Sequence, residues 1–526
     1  MSGWSNERSA AGDRNPWLIV GVISLATFME VLDTSIANVS LDHIAGGLSA
    51  SRDEATWVLT SYLVSNAIVI PISGWLSDVI GRKRYYMISV ALFTLSSLAC
   101  GFAPTLPALI VARVLQGIGG GGLAPSEQSF LADSFPPEKR GQAFAAYGVV
   151  VVVGPVLGPT LGGIITDNIS WHWIFLINVP IGIISLLLVN TFVVEPEVLE
   201  EERRERLRGG LKVDYVGFAL VALGLGGLEL ILDRGEREAW LESTFILGLL
   251  VTVVVSLGFL IWWELARKDP IVNLKLLANR NFAITVMLMT TTGAVLFGTT
   301  TLIPQLLQQG FGYDATTAGL ALTTGGVATL VAMPVVGVLT GRVDTRFLLI
   351  PALLLQAAAL WYMSGWNTNL TYEQASTARL ISAIGLPFLF VPINSAAYVG
   401  LKPTQTNDAS ALLNVARNLG GSFGIGAAQA VLIAREQYHQ DRIVEGLNPL
   451  NPSYVEGVNQ LARTIPAEGG VAGDQTGTLA ALMQQVQQQA QILSYVDVFW
   501  GFMIFVLLVT PLALFLRQGK GGGHGA

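Results

Sequence analysis

Glu30 and Asp33 stand three residues apart inside an otherwise apolar run, WLIVGVISLATFMEVLDTSIANV, from Trp17 to Val39. The run is long enough to cross a bilayer as a helix, since roughly 20 residues cover the ~30 Å hydrocarbon core. An acid at the centre of a span costs about 2.5–3.5 kcal/mol on insertion scales, so it faces a cavity, finds a partner or carries protons. Three-residue spacing puts both carboxyls on one helix face. Two carboxyls together in a dry site do not both ionise easily, which is the arrangement a proton carrier needs. The plain alternative is that both sit near the outer end in water.

Arg113 lies inside a later apolar run, about seven residues or on the order of 10 Å from its outer end. Asp33 lies about six residues from the outer end of the first run, so acid and arginine are level. An arginine at that depth offsets part of the burial cost of the acid and tunes it, either as a switch or as a static ion pair. Arg379 and Arg417 are the other arginines inside spans.

The elements that must position these groups are membrane helices. Of 526 residues, 52% are apolar and only 13% charged, with a mean hydropathy of +0.56. That excludes a soluble globular chain, which averages about 25% charged. The net charge of −7 is thinly spread, and no basic, aromatic-interleaved patch suggests nucleic acid. Cys100 is the lone cysteine, and no Cys/His spacing resembles a metal site. The pattern predicts spans near Trp17–Val39, Thr56–Ser77, Tyr85–Ala103, Leu106–Leu131, Gly141–Ile165, Trp173–Val194 and Val213–Asp233. It continues with Glu242–Glu264, Phe282–Gln305, Ala315–Thr340, Phe347–Ser364, Tyr372–Gly400, Ala409–Ala434 and Val496–Leu516, making fourteen. An even count puts both ends on one side; that side carries twenty-one Lys and Arg against six on the other, so both termini are expected in the cytoplasm.

Two connecting stretches are long. Residues 195–212, EPEVLEEERRERLRGGLK, have the Glu-to-Arg spacing of a surface helix. Residues 435–495 form an outward segment that includes LAALMQQVQQQAQIL, whose apolar residues recur at helical spacing, so one or two amphipathic helices are expected outside the membrane.

Between the second and third spans stands Gly74-Trp-Leu-Ser-Asp78-Val-Ile-Gly81-Arg82-Lys83-Arg84. Gly74 lets helices approach, Gly81 permits a tight turn, Asp78 can face a helix N-terminus, and Arg82 and Lys83 anchor at the interface. The stretch resembles the loop signature of the major facilitator superfamily. Arg113-Val-Leu-Gln116-Gly117-Ile-Gly119 is similar to that superfamily's second motif, whose arginine is tied to proton transfer. The fifth span reads Gly154-Pro155-Val-Leu-Gly158-Pro159-Thr-Leu-Gly162-Gly163, with small residues for close helix contact and prolines that bend. It resembles the motif of drug/proton antiporters.

LDTSIANV (32–39), WHWIFLINVPIG (171–182) and LDRG (232–235) narrow the resemblance to the EmrB/QacA branch, over essentially the whole chain. Glu30, Glu127, Glu229 and His172 depart from the pattern, which bears on the coupling acids. The resemblance implies an all-α polytopic membrane protein of fourteen helices. Two six-helix bundles, 17–194 and 282–516, are joined by linkers 195–212 and 265–281 and two inserted helices in 213–264; residues 1–16 and 517–526 are tails. It implies proton-coupled export of hydrophobic or cationic toxic compounds across an inner membrane by alternating access, with no cofactor and no enzymatic step. A periplasmic membrane-fusion adaptor of EmrA type and a TolC-like outer-membrane channel are implied partners. The alternative is a stand-alone exporter of a metabolite, siderophore or fatty acid. Expected roles are proton coupling for Asp33, Glu30, Arg113 and Glu229, and a substrate cavity lined by Phe28, Met29, Gln116, Phe297, Gln305 and Asn394. Gly337-Val-Leu-Thr-Gly341-Arg342 reads as a decayed echo of the Gly74 loop in a second half.

Overall fold

The computed structural model describes residues 15–195, 197–208, 213–235, 237–238, 240–267, 269–448, 452–464 and 475–516. Each of the fourteen expected spans is helical. The first seven are α1 (Pro16–Val39), α2 (Trp57–Ile80), α3 (Arg82–Gly101), α4 (Leu106–Gly120, continued by Leu123–Ser134), α5 (Pro137–Asn168), α6 (Trp173–Leu176 and Asn178–Phe192) and α7 (Tyr215–Val221 and Gly227–Arg234). The rest are α8 (Thr244–Ala266), α9 (Arg280–Phe311), α10 (Ala315–Thr340), α11 (Thr345–Met363), α12 (Tyr372–Ala397), α13 (Thr406–Glu445) and α14 (Gln475–Val509). Eleven of them are long and apolar enough to cross a membrane on length and composition. Two of the other three owe it to charge, α3 opening on Arg82-Lys83-Arg84 and α13 carrying Asp408, Arg417 and a charged extension. No strand occurs among the described residues.

Local chemistry sets the helix ends. Asn15 accepts from the Trp17 N–H ahead of Pro16, and Thr371 with Gln374 forms a reciprocal cap at the start of α12. Gly81 breaks α2 from α3 at φ +99°, a conformation costly for any residue with a Cβ.

The packing repeats. In the first half α1 lies against α5 and α6, α4 against α2 and α3, and α3 against α6; in the second, α9 lies against α13 and α14, α12 against α10 and α11, and α11 against α14. The halves meet through α2 with α13 and α5 with α10, the exchange expected of two copies of one bundle. α7 and α8 are more than a spacer, because α7 clasps both halves. Asp233 accepts from Thr60 on α2, Arg234 donates to Thr56 at 3.0 Å and lies over the Trp57 ring, and Ser422 on α13 donates to Glu229 at 2.8 Å.

Of the one or two amphipathic helices expected outside the membrane, the short helix Pro452–Thr464 is separate and the glutamine-rich stretch is continuous with α14. α13 runs on to Glu445 and α14 begins at Gln475, so both membrane helices project beyond the bundle, with a short helix at Pro452–Thr464 between them. Helical propensity and burial of Val486 and Ala490 make the glutamine-rich stretch one rod with α14. Asp497 ties the rods, accepting from Arg435 at 2.6 Å and meeting His439 Nε2 at 2.7 Å. The 195–212 connector is helical over Glu197–Arg208 as its charge spacing predicts, with Arg204 on Glu200 at 2.9 Å. Residues 209–212, 449–451, 465–474 and both tails lie outside the described residues.

Candidate functional site

Asp33 and Arg113 meet at the centre of the first half, both side chains fully buried, with Arg113 Nη1 2.5 Å from Asp33 Oδ2. The other carboxylate oxygen, Oδ1, accepts from Gln116 Nε2 at 2.9 Å and Asn178 Nδ2 at 2.7 Å; both amides also reach Ser97. Arg113 donates Nε to the Val58 carbonyl at 3.0 Å and Nη1 to Gln116 at 2.7 Å, and its plane sits 4.4 Å from the Tyr62 ring and 5.6 Å from Phe175. Five helices thus close on one neutral ion pair. Protonating Asp33 would strip Arg113 of its counter-charge in a dry interior, a change the surrounding packing must answer.

Glu30 does not share that site. Its carboxyl is half-buried and turns to Tyr62 and Asn66 on α2, each at 3.5 Å, with Glu127 on α4 and Arg417 on α13 as its charged neighbours. The Tyr62 ring, stacked on Arg113, separates the two acids. Three-residue spacing gives a shared helix face, but on α1 the neighbouring helices divide that face between a sealed pair and the interface between halves. Glu127 is fully buried beneath Glu30, accepting from Thr27 and from Tyr86 at 2.8 Å. Next to it, Gln128 and Asn414 exchange hydrogen bonds across the interface, 2.9 Å and 3.3 Å, one turn before Arg417. Glu229 stands apart on α7, bonded to Ser422, and is not brought to either acid of α1.

The α2–α3 loop residues form a latch between the halves. A Cβ on Gly74 would stand 3.1 Å from the Asp408 backbone, and Asp78 accepts from Asn407 Nδ2 at 2.6 Å. Arg82 pairs with Asp133, which also accepts from Thr406 at 3.2 Å. Glu195 caps the start of α3, receiving the Arg82 N–H at 3.0 Å and the Lys83 N–H at 2.9 Å, while Lys83 Nζ reaches the Asn190 carbonyl at 2.9 Å. The echo in the second half does the reciprocal thing: a Cβ on Gly337 would meet Ala145 at 2.7 Å on α5. Asp133, Asn407 and Asp408 escaped the sequence reading, and Glu195 was read only as part of the charged connector, because nothing local marks their partners. Only the fold gives them the latch to complete.

On α5, Gly154 and Gly162 let α1 approach at Val31 and Ile36, where added Cβ atoms would stand 2.7 Å and 3.1 Å from side-chain carbons, and Gly158 meets Ser35 in the same way. Pro155 and Pro159 lie in this helix, and their side chains are outside the described residues. The expected cavity residues scatter. Met29 is core and Gln116 belongs to the Asp33 network; Asn394 is fully buried, donating to the Phe390 carbonyl at 2.8 Å. Phe28 is half-buried against the α3–α6 packing, Gln305 accepts from Gln429 at 2.8 Å, and Phe297 is the exposed one, at 38%.

A doubled helical repeat with intramembrane ion pairs and an inter-half latch defines a membrane transporter by its architecture. The sequence profile of the Major Facilitator Superfamily matches residues 23–425, and the chain belongs to that superfamily, in its EmrB-type branch. It is 37% identical over 506 residues to the multidrug export protein EmrB of Escherichia coli K12, covering 96% of each chain. It is also 37% identical over 503 residues to EmrB of Haemophilus influenzae, covering 94% of each. The fold matches the proton:xylose symporter XylE with a TM-score of 0.59 at 16% identity, over 96% of this chain and 97% of that one.

Proposed function

We propose that the protein is a proton-coupled antiporter that exports hydrophobic or cationic toxic compounds by alternating access. Its relatives are named multidrug export proteins, which supports this reading. The observation that carries it is the division of labour on α1: Asp33 locked to Arg113 in the interior, and Glu30 half-exposed where α2, α4 and α13 meet. Glu30 exchanges protons and contacts cationic cargo at the interface, with the buried Glu127 next to it. Asp33 and Arg113 convert its occupancy into rearrangement of the first half. Phe28, Phe297 and Gln305 line the path of cargo, and Glu229 holds α7 to α13.

The basic face is cytoplasmic, with both termini inside, in the inner membrane, as the uneven charge distribution favours. The latch at Gly74, Asp78 and Arg82 ties the halves together at that face, which supports reading this arrangement as shut toward the cytoplasm. One elementary charge falling through 100 mV supplies about 2.3 kcal/mol, enough for a gradient on the order of fiftyfold. The paired rods of α13 and α14 are the docking element for a periplasmic adaptor of EmrA type, which would lead to a TolC-like channel. Exposed Leu479 and Met483 are its contact residues.

The test is substrate-driven proton flux in sealed proteoliposomes carrying a pH-sensitive dye. An ethidium-like cation should alkalinise or acidify the lumen only with intact Glu30 and Asp33. Flux indifferent to cargo, or unchanged in both Asp33→Asn and Glu30→Gln, ends the assignment.

A further inference from the structure

Two side-chain amides hold Asp33, and they differ in what their carbonyls do. Gln116 Nε2 donates to Asp33 Oδ1 at 2.9 Å and to Ser97 Oγ at 2.8 Å. Asn178 Nδ2 donates to the same two atoms, at 2.7 Å and 3.0 Å. The Gln116 carbonyl is committed, since Oε1 receives Arg113 Nη1 at 2.7 Å and the Cys100 thiol at 3.6 Å. The Asn178 carbonyl is idle: Oδ1 is buried and has no donor among the described residues. Ser97 Oγ mirrors it, receiving both amides and donating its own hydrogen to nothing among the described residues. A buried carbonyl without a donor is destabilising, so its presence beside a functional acid calls for a reason.

The network as it stands suits an ionised Asp33. Oδ2 faces Arg113 Nη1 and Oδ1 faces two amide N–H groups, so every partner donates. A protonated Asp33 carries an O–H that none of these can receive. A guanidinium offers donors alone, which leaves Oδ1 rather than Oδ2 for the proton. Tyr62 on α2 and Cys100 on α3, the other titratable groups facing Asp33, are turned to Glu30 and Gln116. Half a turn of the Asn178 carboxamide exchanges Nδ2 and Oδ1 with little displacement of heavy atoms, because that torsion is broad and roughly two-fold. The carbonyl oxygen then stands within reach of Asp33 Oδ1 and Ser97 Oγ, and both have a hydrogen to give. Gln116 cannot turn in the same way without setting its amide hydrogens against Arg113.

We propose that Asn178 is the positioning residue that holds a proton on Asp33: it donates from Nδ2 to the carboxylate and, once an O–H bond forms at Oδ1, turns to accept that hydrogen and the Ser97 hydroxyl through its carbonyl. The O–H bond is the one covalent change, and the proton is the one the antiport reading supplies. Asn178 opens the longer segment of α6, so the turn carries the charge state of α1 to a second helix without moving either backbone. The assignment rests on the antiport reading for its use in transport, whereas the state of Asp33 is measured without a gradient.

The test is acid-minus-base infrared difference spectroscopy of the full-length protein in lipid films taken from pH 9 to pH 5, with the Asp33 carboxyl band identified by its loss in Asp33→Asn. Asn178→Leu, similar in volume and without polar atoms, should raise the Asp33 C=O frequency because the O–H loses its acceptor. Gln116→Met should leave that frequency near the wild-type value. In wild type isotope-labelled at the asparagine side-chain carbonyl, an amide band should move to lower frequency on acidification, and Asp33→Asn should abolish the movement; this arm needs no Asn178 variant to fold. Cargo-driven proton flux should fall about tenfold in Asn178→Leu, the size of one hydrogen bond to a charged group. An Asp33 band that Asn178→Leu leaves in place, or that both variants raise equally, overturns the assignment. An asparagine band indifferent to Asp33, unchanged flux in Asn178→Leu, or no Asp33 band across that range overturns it as well. Bands that behave as expected in a protein whose cargo moves no protons would instead refute the antiport reading.

Discussion

The two halves carry the same helical plan and opposite electrostatics at their centres. In the first, Arg113 meets Asp33 and Gln116, and Asp33 also accepts from Gln116 and Asn178, so the pair is charge-balanced, with Arg113 Nη2 and Asn178 Oδ1 left without a hydrogen-bond partner among the described residues. In the second, Arg379 meets two threonine hydroxyls and keeps a free Nε. A duplicated bundle thus holds one buried arginine paired with an acid and one with no acid beside it among the described residues. Topology is shared, and the chemistry is set by which residue faces the arginine.

The largest effect should come from breaking the sealed pair. Asp33→Asn or Arg113→Gln alone leaves an uncompensated partner and should cost about 3–5 kcal/mol, while the double variant should cost clearly less than their sum. Thermal unfolding in detergent reads this, and additive losses would mean that the pair is not coupled. Arg379→Gln should go the other way, neutral or stabilising by about 1–4 kcal/mol, because it removes an unbalanced buried charge. Equal destabilisation by Arg113→Gln and Arg379→Gln would erase the contrast between the halves.

Crowding the α1–α5 contact comes next. Gly154→Val should cost about 1–3 kcal/mol by forcing Val31 away, with transport falling further than stability because α1 carries both acids. Retained flux would show that this contact can open freely. Asn407→Ala, which removes one partner of Asp78 in the latch, should cost about 1 kcal/mol and change turnover more than substrate binding. Equal loss at low and saturating substrate counts against a switching role. Arg435→Ala should be the mildest, about 0.2–1 kcal/mol for a partly exposed pair, and visible mainly at low salt. A larger loss would make the projecting rods part of the core rather than an appendage.

Much of the candidate site was legible because membrane burial is so restrictive. A charge inside an apolar run needs a reason, so Glu30, Asp33, Arg113 and Arg379 stood out from type and position. The level depths of Asp33 and Arg113 anticipated their contact, since a helix rises by a constant amount per residue. Helical spacing did not separate Glu30 from Asp33, because two residues on one face can still meet different neighbours. Nor could it find Asn178 or Asp133, which are ordinary polar residues until α1 and α13 arrive beside them. Gln116 and Met29 looked like cavity lining for the same reason: spacing reports a face and leaves open what covers it.

By itself, then, the chain determined a many-helix membrane protein and the intramembrane charges, because hydropathy and the cost of buried charge act locally along the sequence, while its doubled plan was implied by the resemblance of its motifs. Only the tertiary structure decided that Asp33 is sealed, that Glu30 faces the second half, and that Arg379 has no acid beside it among the described residues. Those are matters of which distant helix supplies the neighbour, and a sequence carries that information only once it is packed.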